Sequence, residues 1–93
     1  MKDKITKGKL EKYFSVTGTA FDIVKKKVIK GKEAEAKEIF EMVENYMGDA
    51  QHFEFKEDFV NAFAALNYAH GWIDCGVRLG VFDVRDDRLF TIR

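Results

Sequence analysis

The chain has 93 residues, 46% of them hydrophobic and 34% charged, and sixteen basic residues balance sixteen acidic ones. A chain of this length and composition forms one packed domain with a small core, which excludes a second domain. The only cysteine, Cys75, excludes an internal disulfide, and there is no signal-peptide pattern or membrane-length apolar run, so we expect a cytoplasmic protein without membrane contact.

Two helices are predicted in the first half of the chain. Apolar residues at steps of three and four predict a helix over residues 7–29, ended by Gly31. A second helix is predicted over residues 32–53, with Glu33 and Glu35 in its first turn, where the helix dipole favours acidic side chains. The short Gly31 junction predicts that the two helices lie antiparallel.

A third helix is predicted over residues 56–79, closed by Gly80. One of its faces is apolar throughout, and Tyr68, Trp72 and Leu79 make the opposite side apolar too. A helix that is apolar nearly all round is expected to be buried on two sides. Gly71 and Gly76 each lower helix propensity by about 1 kcal/mol relative to Ala, which predicts that another backbone approaches closely there.

The tail, residues 81–93, contains two short apolar runs around a polar turn at residues 85–88, which indicates extended structure or a hairpin. We expect this tail, together with a partial dimer contact, to cover Tyr68, Trp72 and Leu79. The predicted fold is therefore an all-α, up-and-down antiparallel three-helix bundle with a short extended C-terminal tail or hairpin, forming a single domain over residues 1–93.

Basic and acidic residues are concentrated in different parts of the chain. Residues 1–32 hold ten Lys against three acidic residues, whereas residues 33–60 hold nine acidic residues against two Lys. One interpretation is that the first two helices neutralise each other side by side. The alternative is an anion-binding patch. Because no aromatic residues lie between its lysines, we expect it to bind nucleic acid only weakly, non-specifically and in a salt-dependent way. Its candidate residues are Lys25, Lys26, Lys27, Lys30 and Lys32.

The third helix also carries a candidate polar site comprising Asn67, His70, Asp74 and Arg78. Residues three or four apart on a helix are neighbours, so His70 can contact Asp74, and Asp74 can contact Arg78. His70 is either a general base or metal ligand oriented by Asp74, or a buried, hydrogen-bonded imidazole that fixes the helix register. We interpret Cys75 as a small buried thiol rather than a nucleophile.

No metal and no cofactor are expected. The two histidines, His52 and His70, lie on different predicted helices, and the inward Glu-x-x-His motif of di-metal bundles is missing. There is no glycine-rich loop after a strand of the kind that cradles phosphates.

The run from Asp58 to Phe82 contains the elements Asn-Ala, Tyr-Ala-His-Gly and Asp-x-Gly-x-Arg-x-Gly. It resembles the signature of an archaeal family known only as domain of unknown function 357. The resemblance implies a small up-and-down three-helix bundle, and it implies no activity, so no catalytic residue is carried over from it.

Two functions from different classes follow from these patterns. The first is a non-enzymatic interaction or assembly module that uses Tyr68, Trp72 and Leu79 to bind a second copy or another protein. The second is a small-ligand or catalytic site around His70, Asp74 and Arg78. We favour the interaction or assembly module, because the sequence contains no recognisable set of catalytic residues.

Overall fold

The computed structural model describes residues 4–85 and 88–90, and it contains three α-helices. Helix α1 spans Lys7–Val24, α2 spans Glu33–Phe55 and α3 spans Phe59–Arg78. Helices α1 and α2 each pack along α3 but scarcely contact each other, so α3 is the central helix. The predicted all-α three-helix bundle is confirmed.

Side chains near the helix starts hold the first turns in place. The Thr6 hydroxyl accepts a hydrogen bond from the Lys9 amide at 3.1 Å, and the Asp58 carboxylate accepts one from the Asn61 amide at 3.2 Å. Each cap of this kind stabilises a helix by about 1 kcal/mol. The predicted start of α3 at residue 56 was three residues early, because Glu57 has a φ of 59° and Asp58 is the cap. Gly80, with a φ of 76°, follows the end of α3 as predicted.

The prediction that the first helix extends to residue 29 was wrong, because α1 ends at Val24. The following backbone pairs with the tail instead: the Ile29 amide donates to the Val81 carbonyl at 2.9 Å, and the Asp83 amide donates to the Lys27 carbonyl at 2.8 Å. These bonds flank an antiparallel bridge between residues 28 and 82. Gly31, with a φ of 95°, therefore belongs to the turn before α2 and does not end α1.

The core consists of two clusters, one at each end of the bundle. The first joins the start of α1 to the end of α2 and the start of α3, through Leu10, Ala50 and Leu66. The second joins the end of α1 to the start of α2, the end of α3 and the tail. This arrangement places α1 and α3 parallel and α2 antiparallel to both, as an up-and-down bundle requires.

The described residues of the tail pack into the second cluster and do not cover Tyr68, Trp72 and Leu79, so the prediction that the tail covers them was wrong. The predicted dimer contact stays a prediction. The buried residues of the tail are Val81, Phe82, Val84 and Phe90. The physical reason is the backbone pairing with residues 27–29, which directs the tail toward α1 and α2. Of the predicted hairpin, residues 86, 87 and 91–93 lie outside the described residues.

The bundle is broad and thin, with Cα extents of 42 × 24 × 16 Å. Because α1 and α2 both flank α3, one side of α3 has no helix against it. The interpretation that α1 and α2 neutralise each other was also wrong. The three ion pairs found among the described residues, Lys25–Asp22, His70–Asp74 and Arg85–Asp83, all lie within single elements.

Candidate functional site

His70 lies half-buried on α3, where it contacts both α1 and the tail. Its Nε2 is 2.7 Å from the Leu89 carbonyl oxygen, and its Nδ1 is 3.2 Å from the Thr17 hydroxyl. Because a carbonyl oxygen only accepts hydrogen bonds, Nε2–H donates to Leu89, and in the neutral ring Nδ1 accepts from Thr17. Both ring nitrogens of His70 are therefore bonded within the chain.

A groove of about 280 Å³ opens between α1 and α3 beside this imidazole. Three of the four predicted polar residues, Asn67, His70 and Asp74, line it, together with Tyr13, Val16, Thr17 and Gly71. The Asp74 carboxylate lies 3.8 Å from His70 Nε2. Arg78 lies exposed at the end of α3, outside the groove, and takes part in none of the ion pairs among the described residues.

The Thr17–His70 hydrogen bond yields a first prediction. Thr17 is 2% exposed, so Thr17→Val keeps the shape of the side chain but leaves His70 Nδ1 without its donor. We expect the free energy of unfolding in urea to fall by about 1–3 kcal/mol. The matched control is Thr19→Val on the exposed side of α1, which we expect to change it by less than about 0.5 kcal/mol. Equal effects of the two substitutions would contradict a stabilising role for the bond.

A second surface runs along the side of α3 that has no helix against it. We call it the outer face of α3, and at about 100° per residue its members fall within one arc of roughly 120°. The large side chains of this face remain accessible: Tyr68 is 62% exposed, Leu79 70% and Trp72 36%. Its apolar and small residues are Val60, Ala64, Tyr68, Gly71, Trp72, Cys75 and Leu79, and the exposed polar residues Asn61 and Arg78 fall within the same arc.

The middle of the outer face is a shallow hollow of about 290 Å³. Tyr68 and Trp72 border it, and Asn67, Gly71 and Cys75 also line it. Cys75 is exposed, so its interpretation as a buried thiol was wrong. The reason is its position at the centre of the side of α3 that no helix covers. The Tyr68 ring stacks on Tyr46 of α2, with centroids 5.3 Å apart.

The five lysines of the predicted anion patch are all exposed, but they do not share one helical face. Because α1 ends at Val24, these lysines follow the turn and the connection to α2. The Lys25 ammonium pairs with Asp22 at 3.3 Å and lies 4.5 Å from the centre of the Phe21 ring. Asp22 also lines the depression formed by Lys26 and Lys27. Its negatively charged carboxylate would repel an anion that entered this depression.

Neither a metal cluster nor a membrane span is found in the part of the chain that the structure describes. No three His, Cys, Asp or Glu side chains converge there. None of the three helices combines the length and apolar character that crossing a bilayer requires.

A family relationship extends over most of the chain. The model of a family described as "Protein of unknown function (DUF357)" matches residues 12–82, which is most of the chain. The chain belongs to the DUF357 family. Neither a curated protein nor a solved structure matches it. The DUF357 match begins at Lys12, inside α1, covers all of α2 and α3, and ends at Phe82, the tail residue that pairs with residue 28.

Sequence reasoning missed Thr17 and Tyr13 as neighbours of the polar residues, and Val60 as part of the outer face. Thr17 did carry a signal, because it is a hydroxyl-bearing residue in the apolar stripe of α1 and is buried there. Such a residue needs a hydrogen-bond partner. Nothing in the local pattern identifies that partner as His70, which lies 53 residues later in the chain.

Proposed function

We propose that this protein is a cytoplasmic, non-enzymatic interaction module that binds a protein through the outer face of α3. The observation that carries the proposal is that large apolar side chains remain exposed at the first turn, the middle and the C-cap of the central helix, from Val60, 61% exposed, to Leu79, 70% exposed. Contiguous apolar patches of this kind mark interaction sites on folded proteins. The Tyr and Trp side chains at the centre are the residue types that most often anchor such interfaces.

The polar groove supports this non-enzymatic proposal. A general base must exchange a proton with a substrate, yet His70 could do so only by giving up its bond to Thr17 or to Leu89. Those two bonds join α3 to α1 and to the tail, so they give His70 a structural task. Arg78, the remaining candidate of the polar site, does not line the groove.

Site-specific photo-crosslinking in cells that express the protein tests the proposal. A benzophenone amino acid at position 68 or 79 replaces an exposed apolar side chain of the outer face. We expect illumination to produce a crosslinked species that contains this chain and a protein. The same amino acid at Glu38, which is exposed on α2, serves as the control and is expected to give no such species.

Crosslinking at positions 68 and 79 no greater than at position 38 would contradict the proposal. Mass spectrometry of the crosslinked species identifies the protein that is bound. An interaction module is supported if the species contains two copies of this chain, and also if it contains another protein. The first result identifies the partner as a second copy, and the second identifies it as a different protein.

A further inference from the structure

We propose that the protein has a second binding surface, beside residue 28, which takes up an extended and basic peptide segment of another protein. This inference goes beyond the proposed function, because the surface lies at the start of α2 and shares no residue with the outer face of α3. The bound segment adds one strand to the short pairing between residues 27–29 and the tail. Three features carry the inference: an open backbone edge, an apolar groove beside it, and acidic side chains around that groove.

The open backbone edge belongs to Val28. The antiparallel bridge between residues 28 and 82 is flanked by hydrogen bonds that the amides of Ile29 and Asp83 donate across it. In a bridge of this type, the N–H and C=O groups of the two bridged residues point away from each other's strand. Within the described part of the chain, neither the N–H nor the C=O of Val28 has a hydrogen-bond partner. Both groups are therefore available to an added strand.

A groove with mostly apolar walls lies between Val28 and α2, and we call it the α2 groove. It has a volume of about 420 Å³. Its floor consists of Val28, Ala36 and Phe40, which are buried or half-buried, and its rim consists of the exposed residues Glu33, Lys37, Glu41 and Glu44. Because Val28 belongs to both, the open edge and the α2 groove form one continuous surface.

The floor of the α2 groove is held in place by the core. The Phe40 ring stacks on Phe82 with centroids 5.5 Å apart and meets the edge of Phe21 at 5.7 Å. Phe82 itself does not line the α2 groove, so an occupant reaches Val28 without displacing the tail. A preformed apolar floor does not have to be ordered when an apolar side chain binds to it.

The charges of the rim favour a basic segment. Three glutamates stand against one lysine, so the rim is negative. The Glu33 carboxylate accepts a hydrogen bond from the Gly31 amide at 3.0 Å, whereas Glu41 and Glu44 take part in none of the ion pairs among the described residues. Like charges three residues apart on a helix repel each other. A Lys or Arg side chain of the bound segment relieves this repulsion.

The lysines that surround Val28 do not exclude such a segment. Side chains alternate across an extended strand, so Lys27 and Val28 lie on opposite faces of it. Lys26 and Lys27 line the separate depression that contains Asp22, and no lysine from residues 25–32 lines the α2 groove. The same lysines oppose pairing of Val28 with the Val28 of a second copy, because two basic segments would then meet.

Titration of the isotope-labelled chain with a synthetic peptide, followed through its amide NMR spectrum, tests the inference. The probe is the capped sequence lysine-threonine-valine-threonine-lysine, whose valine and two lysines share one side of a strand. We expect saturable shifts of the amides of Val28 and of the residues that line the α2 groove. A matched peptide with glutamate in place of both lysines is expected to bind at least about fivefold more weakly.

Substitutions on α2 test the role of the rim. Glu41→Gln combined with Glu44→Gln is expected to weaken binding of the lysine peptide by about fivefold. Glu35→Gln combined with Glu38→Gln is the matched control, because these glutamates are also exposed on α2 but do not line the groove. We expect the control to change the dissociation constant by less than about twofold. Circular dichroism checks that both variants keep the helical content of the original chain.

N-methylated peptides test the strand pairing separately. A methyl group on the valine nitrogen removes the N–H that pairs with the Val28 carbonyl, and we expect it to weaken binding by about tenfold. A methyl group on the nitrogen of the first threonine is the matched control. Alternate N–H groups of a strand point to opposite sides, so this N–H faces away from Val28 and its loss is expected to change little.

Each of four outcomes would overturn the inference: no shift at Val28 and the α2 groove, equal binding of the lysine and glutamate peptides, equal binding by the two double variants, or equal binding of the two methylated peptides. A concentration-dependent shift of the Val28 amide without any peptide would also overturn it, because the occupant would then be a second copy. None of these results bears on the outer face of α3, which the photo-crosslinking experiment tests.

Discussion

Phe82→Ala is expected to lower the free energy of unfolding by about 3–5 kcal/mol. The Phe82 side chain is 2% exposed, and its ring stacks on Phe40 with centroids 5.5 Å apart. It also fills the space beside Gly76 in the cluster that joins the tail to all three helices. A domain of this size is stable by only about 5–15 kcal/mol, so the loss is a large fraction of the total.

Phe55 offers a matched control for that substitution. It is also a phenylalanine, at the last residue of α2, but its side chain is 85% exposed. We expect Phe55→Ala to change the free energy of unfolding by less than about 0.5 kcal/mol. Urea unfolding followed by circular dichroism measures both variants. A loss at Phe82 no larger than at Phe55 would show that the tail does not stabilise the bundle.

Gly76→Ala is expected to destabilise the fold by about 1–3 kcal/mol, although alanine is the better helix former. A Cβ at Gly76 would collide with the Phe82 ring, lying 2.8 Å from its Cδ2, and would lie 2.9 Å from Cδ1 of Ile39. Neither neighbour can move freely, because Phe82 is 2% and Ile39 6% exposed.

Gly48→Ala separates this collision from helix propensity. Gly48 lies inside α2, and a Cβ there would meet nothing within 4 Å. We expect this variant to be more stable by about 0.5–1 kcal/mol, so the two identical substitutions should act in opposite directions. Chemical denaturation of the pair measures the difference. If both variants gained stability, the close packing of Phe82 on α3 would be disproved.

Local periodicity predicted the three helices because each one buries a stripe of apolar residues against its neighbours. The same periodicity failed at residues 25–29, where Val28 continues the spacing of α1 but pairs with the tail. Pairing between residues so distant in the chain leaves no trace in a local pattern. Gly76 was predicted to permit a close approach, and the structure supplies one, made by the Phe82 ring rather than by a backbone.

For the candidate site, helical geometry was sufficient to place Asn67, His70 and Asp74 together, because all three lie on one helix. It could not show that His70 also bonds to α1 and to the tail. The two apolar sides of α3 were readable from the sequence as well. Which element covers each side depends on how the other elements pack. The described part of the tail packs on the side of α3 that faces α1 and α2.

The bridge between residues 28 and 82 has a consequence for the order of folding. The two residues are separated by more than half of the chain, so closing this contact carries a larger loop-closure penalty than closing any hydrogen-bonded turn within a helix. During synthesis Phe82 emerges after all three helices, so the pairing of residue 28 with residue 82 forms only after the helices have been made. Amide exchange at Ile29 and Asp83, whose N–H groups are bonded across this closure, therefore reports on completion of the fold rather than on helix formation.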